Sequence, residues 1–227
     1  MHEHVHDPLP GEVEIETALL AKNDHLADHN RAWLAEQGIV ALNLMSSPGS
    51  GKTSLLHRTI TELASSRPIA VVEGDQETRL DAERIRSAGA PVVQINTGAG
   101  CHLDADMLAR ALAELRPARG SLVFVENVGN LVCPALFDLG EAAKVVVVSV
   151  TEGEDKPLKY PYMFSVADLV LINKIDLLPY VDVRLETLAG HCRSLNPHVR
   201  VLPLSVTTGE GMGAWRDWLL TCGPVAD

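Results

Sequence analysis

Ser46-Ser47-Pro48-Gly49-Ser50-Gly51-Lys52-Thr53 links an apolar run, Ile39 to Met45, to a stretch from Ser54 to Leu63 whose apolar residues recur at helical spacing. Strand, glycine-rich turn and helix, in that order, are the setting of a phosphate-binding loop. Gly49 and Gly51 let the backbone curl so that successive N–H groups, from Gly49 through Ser50 and Gly51 to Ser54, face one anion at a helix N-terminus. Lys52 is expected to reach the β- and γ-phosphates, and the Thr53 hydroxyl to ligate Mg²⁺. Ser46 stands where the pattern has its first glycine. An ordinary strand-to-helix turn is the competing reading, and the flanking pattern disfavours it.

Outward from this loop, apolar runs alternate with helical periodicity to the end of the chain. That alternation predicts an α/β fold, a P-loop GTPase with a mostly parallel sheet of about seven strands flanked by helices. Of the 227 residues, 46% are hydrophobic but only 4% aromatic, which suits the aliphatic core of buried parallel strands. Residues 1–12 read as a flexible His-containing tail and 13–227 as a GTPase domain with an N-terminal helical extension. From Val13 to about Gln37, the apolar residues Ile15, Leu19, Leu26, Trp33 and Leu34 mark that extension. A net charge of −11 with no basic stripe argues against nucleic-acid binding. No apolar run reaches membrane-spanning length, no signal peptide is legible, and the four cysteines lack disulfide-scaffold spacing. A cytoplasmic, reduced protein is expected.

Acidic residues punctuate the strand ends, where such sheets hold their ligands. Asp75, after Ile69 to Glu73, is a candidate for Mg²⁺ contact or a switch, with a helix N-cap as the equal alternative. Glu126-Asn127-Val128-Gly129 caps the strand Ser121 to Val125, with Glu126 placed to sense Mg²⁺ and the Gly129 N–H a γ-phosphate. Asn173-Lys174-Ile175-Asp176 follows a late strand as a guanine-reading motif. The Asp176 carboxylate can accept from guanine N1–H and its amine, Lys174 can lie along the base, and Asn173 can brace the loop. Ser205 and Val206 are placed to offer a backbone N–H to guanine O6. Adenine would leave the carboxylate unpaired, so GTP is expected over ATP. No catalytic glutamine or arginine finger is evident, which predicts slow intrinsic turnover. Lys52, Thr53, Asp75 and Glu126 are the residues expected to carry hydrolysis.

The phosphate loop, Gly98-Ala99-Gly100-Cys101-His102-Leu103, Glu126 to Pro134, and Thr151-Glu152-Gly153-Glu154-Asp155-Lys156-Pro157-Leu158-Lys159-Tyr160-Pro161 together closely resemble the HypB family of nickel-incorporation GTPases. The likeness runs from about residue 15 to the carboxyl end, and Ser46 is usual in that family. The resemblance implies a hydrogenase-maturation metallochaperone that hydrolyses GTP and helps deliver Ni²⁺ to the large subunit of [NiFe]-hydrogenase. It further implies a homodimer promoted by GTP and metal, and a partner nickel chaperone. Some members carry a cysteine-rich amino-terminal nickel site, where this sequence offers histidines.

Cys101, His102 and Cys133 supply two thiolates and an imidazole, a donor set for Ni²⁺ or Zn²⁺. Three ligands leave a tetrahedral site open to water or to a two-fold partner's ligands. Cys192 and Cys222 read as structural. His2, His4 and His6 are a further candidate metal tract. His25 and His29 share a helical face, but with no third ligand nearby they read as solvated. Lys156 or Lys159 is a candidate to reach a partner's nucleotide. The rivals are a metallochaperone GTPase for another nickel enzyme such as urease, a nucleotide-regulated metal store, and a nucleotide kinase, which lacks its arginine-rich lid here.

Overall fold

The computed structural model describes residues 10–63, 65–75, 80–98 and 100–222. Among them, β1 (Val40–Ser46), β2 (Ile69–Asp75), β3 (Val92–Asn96), β4 (Leu122–Gly129), β5 (Ala143–Ser149), β6 (Leu169–Asn173) and β7 (Arg200–Pro203) form one sheet. Its order is β3-β2-β4-β1-β5-β6-β7, and every pairing is parallel. The helices are α1 (Pro10–Glu36), α2 (Lys52–Leu63), α3 (Leu80–Ser87), α4 (Ala105–Leu115), α5 (Cys133–Leu136), α6 (Lys156–Lys159), α7 (Pro161–Ser165), α8 (Leu185–Leu195) and α9 (Met212–Thr221). No helix of the described residues is long and apolar enough to cross a membrane.

Parallel strands covered on both faces need apolar side chains in both directions, and β1 is buried at every position. Val40, Leu42 and Leu44 join one core cluster with α2 and α9, while Ala41 packs into another with Leu108 and Leu112 of α4. Trp215 lies at the centre of the first cluster, stacked on Trp218, with its indole N–H donating to Thr59 Oγ1 at 2.9 Å. Because β1 lies between β4 and β5, the chain leaves it toward β2 on one flank and later crosses to β5 on the other. The carboxyl end of β1 is therefore the reversal point where such sheets open a crevice.

Three local features differ from the sequence reading. The α1 helix is continuous, but Leu19 and Trp33 of its apolar pattern are exposed; the buried face is Asn23, Ala27, Asn30 and Leu34. It docks by hydrogen bonds: Asn30 Nδ2 donates to the Ala105 and Leu139 carbonyls, and Asn23 accepts from the Ala105 N–H and donates to the Asp138 carbonyl. Such amide docking leaves no trace in apolar periodicity. Second, residues 151–161 are not a plain loop but carry a 3-10 turn, Val150–Glu152, then α6 and the start of α7. Pro157 and Pro161 sit in the first turns of their helices, where proline is favoured. Third, Glu126 to Gly129 does not cap β4 but continues it, with an irregularity opposite Met45 before Ser46 pairs with Gly129.

Candidate nucleotide and metal site

β1 ends at Ser46 and α2 begins at Lys52, so five residues make the turn between them. Gly51 has φ +100, and a Cβ there would stand 2.5 Å from Asn173 Nδ2. Glycine is thus required twice, by backbone conformation and by the approach of the base-reading loop. The buried Lys52 ammonium donates to Ser46 Oγ at 2.6 Å, which gives the serine at the loop's first position a role. Thr53 Oγ1 donates to Glu126 Oε1 at 2.7 Å across to β4. Ser50 Oγ is buried without a hydrogen-bond partner among the described residues. The loop, the ends of β2 and β4, α3 and Lys174 enclose a cavity of about 570 Å³. An orphaned hydroxyl, a lysine and a helix N-terminus around one cavity fit the phosphates of a nucleotide.

On the opposite flank, the residues expected to read the base are held by hydrogen bonds. Asn173 Nδ2 donates to the Ser50 carbonyl at 2.9 Å, while its Oδ1 accepts from the Lys174 and Val206 N–H groups. Lys174, in the left-handed region at φ 62, donates through Nζ to the Gly49 carbonyl at 2.7 Å. Asp176 Oδ1 accepts from Ser205 Oγ at 2.5 Å. Ser47 Oγ donates to Glu152, whose other oxygen accepts from the Ser149 N–H at 2.8 Å. Glu152 also pairs with Lys156 at 3.3 Å, whose ammonium lies 4.8 Å from the Tyr160 ring centroid. Lys159, more exposed, pairs with Asp155 at 2.7 Å.

Some site residues carry no motif. Glu73 is buried in β2, lines the cavity and stands in register with Glu126, bringing two carboxylates side by side near Thr53. The only signal in the sequence is a charge two residues before Asp75 in an apolar strand. Arg84 of α3 lines the same cavity and donates to Ser54 Oγ at 3.3 Å. Asp75 closes β2 in backbone register with Asn96; its side chain is not among those described. His2, His4 and His6 lie outside the described residues.

Cys101 and His102, on the loop between β3 and α4, come together with Cys133, at the start of α5, with one donor atom of each within 4.8 Å of the others. Cys133 opens α5, directly after β4 and Asn130-Leu131-Val132. Cys101 Sγ lies 3.6 Å from His102 Nδ1, and the His102 ring stacks on Phe137 at 3.8 Å. A hydrogen bond with the Cys133 thiol, then burial, pushes the Cys101 thiol up, and burial holds His102 below its usual value against the pull of Asp104. Soft donors arranged this closely fit a borderline transition ion, which would deprotonate the thiols on binding. Cys192 is apart from them, buried and pushed up to about 11 by that burial.

A buried amide chain joins the two sites. Asn127, next to Glu126, accepts through Oδ1 from the Leu103 N–H at 3.1 Å, immediately after the Cys101-His102 pair. Its Nδ2 donates to Asn43 Oδ1 at 3.1 Å, and Asn43 donates to Glu141 Oε1 at 3.1 Å. One side chain on the phosphate-facing strand thereby holds the metal loop.

The family model for the CobW/HypB/UreG nucleotide-binding domain matches residues 40–203. The hydrogenase maturation factor HypB of Azotobacter vinelandii is 58% identical over 207 residues, covering 91% of this chain and 68% of that protein. The Escherichia coli K12 factor is 54% identical over 209 residues, covering 92% and 72%. The crystal structure of HypB from Archaeoglobus fulgidus superposes with a TM-score of 0.84 at 42% identity, covering 89% of this chain and 98% of that one. HypB from Helicobacter pylori, solved in complex with nickel, gives 0.82 at 35%, covering 91% and 99%. By family match, identity and fold together, the chain belongs to the HypB hydrogenase maturation factors of the CobW/HypB/UreG family.

Proposed function

We propose that this hydrogenase-maturation GTPase uses the state of its nucleotide to set its affinity for Ni²⁺, the cargo held by Cys101, His102 and Cys133. The observation that carries the reading is the Asn127 bridge between the phosphate-facing end of β4 and the Leu103 N–H of the metal loop. In the GTP state, Thr53 and Glu126 would hold Mg²⁺, with Glu73 or Asp75 as a further candidate carboxylate, and the Gly129 N–H would meet the γ-phosphate. Lys52 neutralises charge that develops on the phosphates during hydrolysis. Loss of the γ-phosphate shifts Glu126 to Gly129, and the shift reaches the metal by two routes: Asn127 to the Cys101 loop, and the chain itself to Cys133. Reciprocity follows: bound metal alters nucleotide affinity by the same factor.

Three protein donors leave room for a ligand from a second copy of the chain. A two-fold dimer would close the site, and its separation would release the ion. Val132 and Leu136, exposed on either side of Cys133, suit such a contact. Zn²⁺ fits the same donors. Lys156 and Lys159 are both paired within the chain, to Glu152 and Asp155, and Lys159, the more exposed of the two, is the better candidate to reach a partner's nucleotide. Delivery to the hydrogenase large subunit, aided by a partner nickel chaperone, would take place in the cytoplasm.

The test measures Ni²⁺ affinity of the full chain with a non-hydrolysable GTP analogue and with GDP, following self-association alongside. Affinity and association should change together with nucleotide. If neither depends on nucleotide, the coupling reading fails and a metal store with an idle nucleotide site takes its place.

A further inference from the structure

His25 and His29 lie on the exposed face of α1, opposite the face that docks on the domain. Their Nε2 atoms are 3.3 Å apart, and their rings meet edge to face with centroids 4.7 Å apart. That separation is within reach of a hydrogen bond between the two rings, just past the long end of the usual range of about 2.7–3.2 Å. It also matches a different geometry: two imidazole nitrogens, each about 2.0–2.1 Å from one tetrahedral ion, stand roughly 3.3–3.4 Å apart. The helix presents side chains four apart on one face, so the pair is spaced before any ligand arrives. Its backbone is also held in place, because Asn23 and Asn30 on the far face bond to Ala105, Asp138 and Leu139. Asp28, the carboxylate between the two histidines in sequence, is drawn away by Arg31 at 2.7 Å.

We propose that His25 and His29 form a second transition-metal site, separate from the Cys101-His102-Cys133 cluster and independent of the coupling reading. Two imidazoles select a borderline divalent ion, Ni²⁺, Cu²⁺ or Zn²⁺, over Mg²⁺ or Ca²⁺, which prefer oxygen. Water fills the remaining positions, so the ion is held loosely and exchanges with solvent. This is the behaviour of a site that collects metal at the surface, in contrast to the thiol cluster that retains it.

The experiment uses the full chain with Cys101→Ser, Cys133→Ser, His2→Gln, His4→Gln and His6→Gln, which removes the competing thiols and tail imidazoles. Calorimetric titration with Cu²⁺ and with Ni²⁺ should show one ion per chain, Cu²⁺ bound more tightly as its place in the divalent series requires. Adding His29→Gln should weaken binding by about tenfold or more, since the second imidazole then no longer acts within the same molecule. Substoichiometric Cu²⁺ should broaden the imidazole resonances of His25 and His29 together. Both residues are exposed, so the variant tests binding without testing folding. Unchanged affinity in His29→Gln, or broadening of one histidine alone, would overturn the proposal.

Discussion

The two flanks of β1 are built to different rules. Toward β5, β6 and β7, the inner strands are buried and the edge strand is half-exposed, as β3 is at the other edge, and the residues expected to read the base are tied by hydrogen bonds to the turn after β1. Toward β4, β2 and β3, the residues that line the cavity come from strand ends and from α3, Cys101 and His102 lie on a loop held by the Asn127 amide of β4, and Cys133 opens α5. A base must be recognised identically in both nucleotide states, so its readers belong on a rigid frame. A γ-phosphate is present in one state only, so its readers need somewhere to go. Under the proposed function, the difference would separate recognition from response within one sheet.

That division can be broken at four points. Asp176→Asn should raise the Kd for GTP by about 10- to 150-fold, the range expected when hydrogen bonds to a charged acceptor are lost, and should shift preference toward xanthosine nucleotides. Retained GTP selectivity, measured by competition binding, would remove Asp176 from the base-reading role, and a large change in Ni²⁺ affinity would show that the flanks are not separate. Cys133→Ala should lower Ni²⁺ affinity by about tenfold or more and abolish its nucleotide dependence, with GTP binding intact. A titration in both nucleotide states checks this; an unchanged dependence would put the moving thiolate elsewhere.

Asn127→Ala sharpens the comparison, because the Asn127 amide is spent on the Leu103 N–H and on Asn43. It should cost about 1–3 kcal/mol of stability through the unpaired Leu103 N–H, seen in denaturant unfolding. Its telling effect is on coupling: Ni²⁺ affinity should persist while the ratio between GTP-analogue and GDP states falls severalfold. Arg84→Ala is the smallest, raising nucleotide Kd by no more than about fivefold, as befits an exposed cation already shared with Asp81. An effect as large as that of Lys52→Ala would make Arg84 a catalytic group.

Much of this was readable from the chain alone because the decisive residues are neighbours in sequence. The loop from Ser46 to Thr53, Asn173-Lys174-Ile175-Asp176 and Cys101-His102 each state their chemistry within a few positions, and the α/β alternation fixed their place at strand ends. What stayed hidden depends on register between distant segments. Glu73 gains meaning only opposite Glu126, and Asn127 only when β1 lays Asn43 beside it. The docked face of α1 escaped because amides, not apolar side chains, make its contacts.

The clamp on the base-reading loop bears on the thermodynamics of binding. Ser205 holds the Asp176 carboxylate, and Ser50 and Gly49 hold Asn173 and Lys174, by hydrogen bonds within the fold itself. Immobilising a rotamer-rich side chain costs about 0.5–1.5 kcal/mol, and here that cost is met in folding. If these residues read the base as proposed, GTP and GDP would share one braced docking surface, and the free energy difference between them would be left to the γ-phosphate.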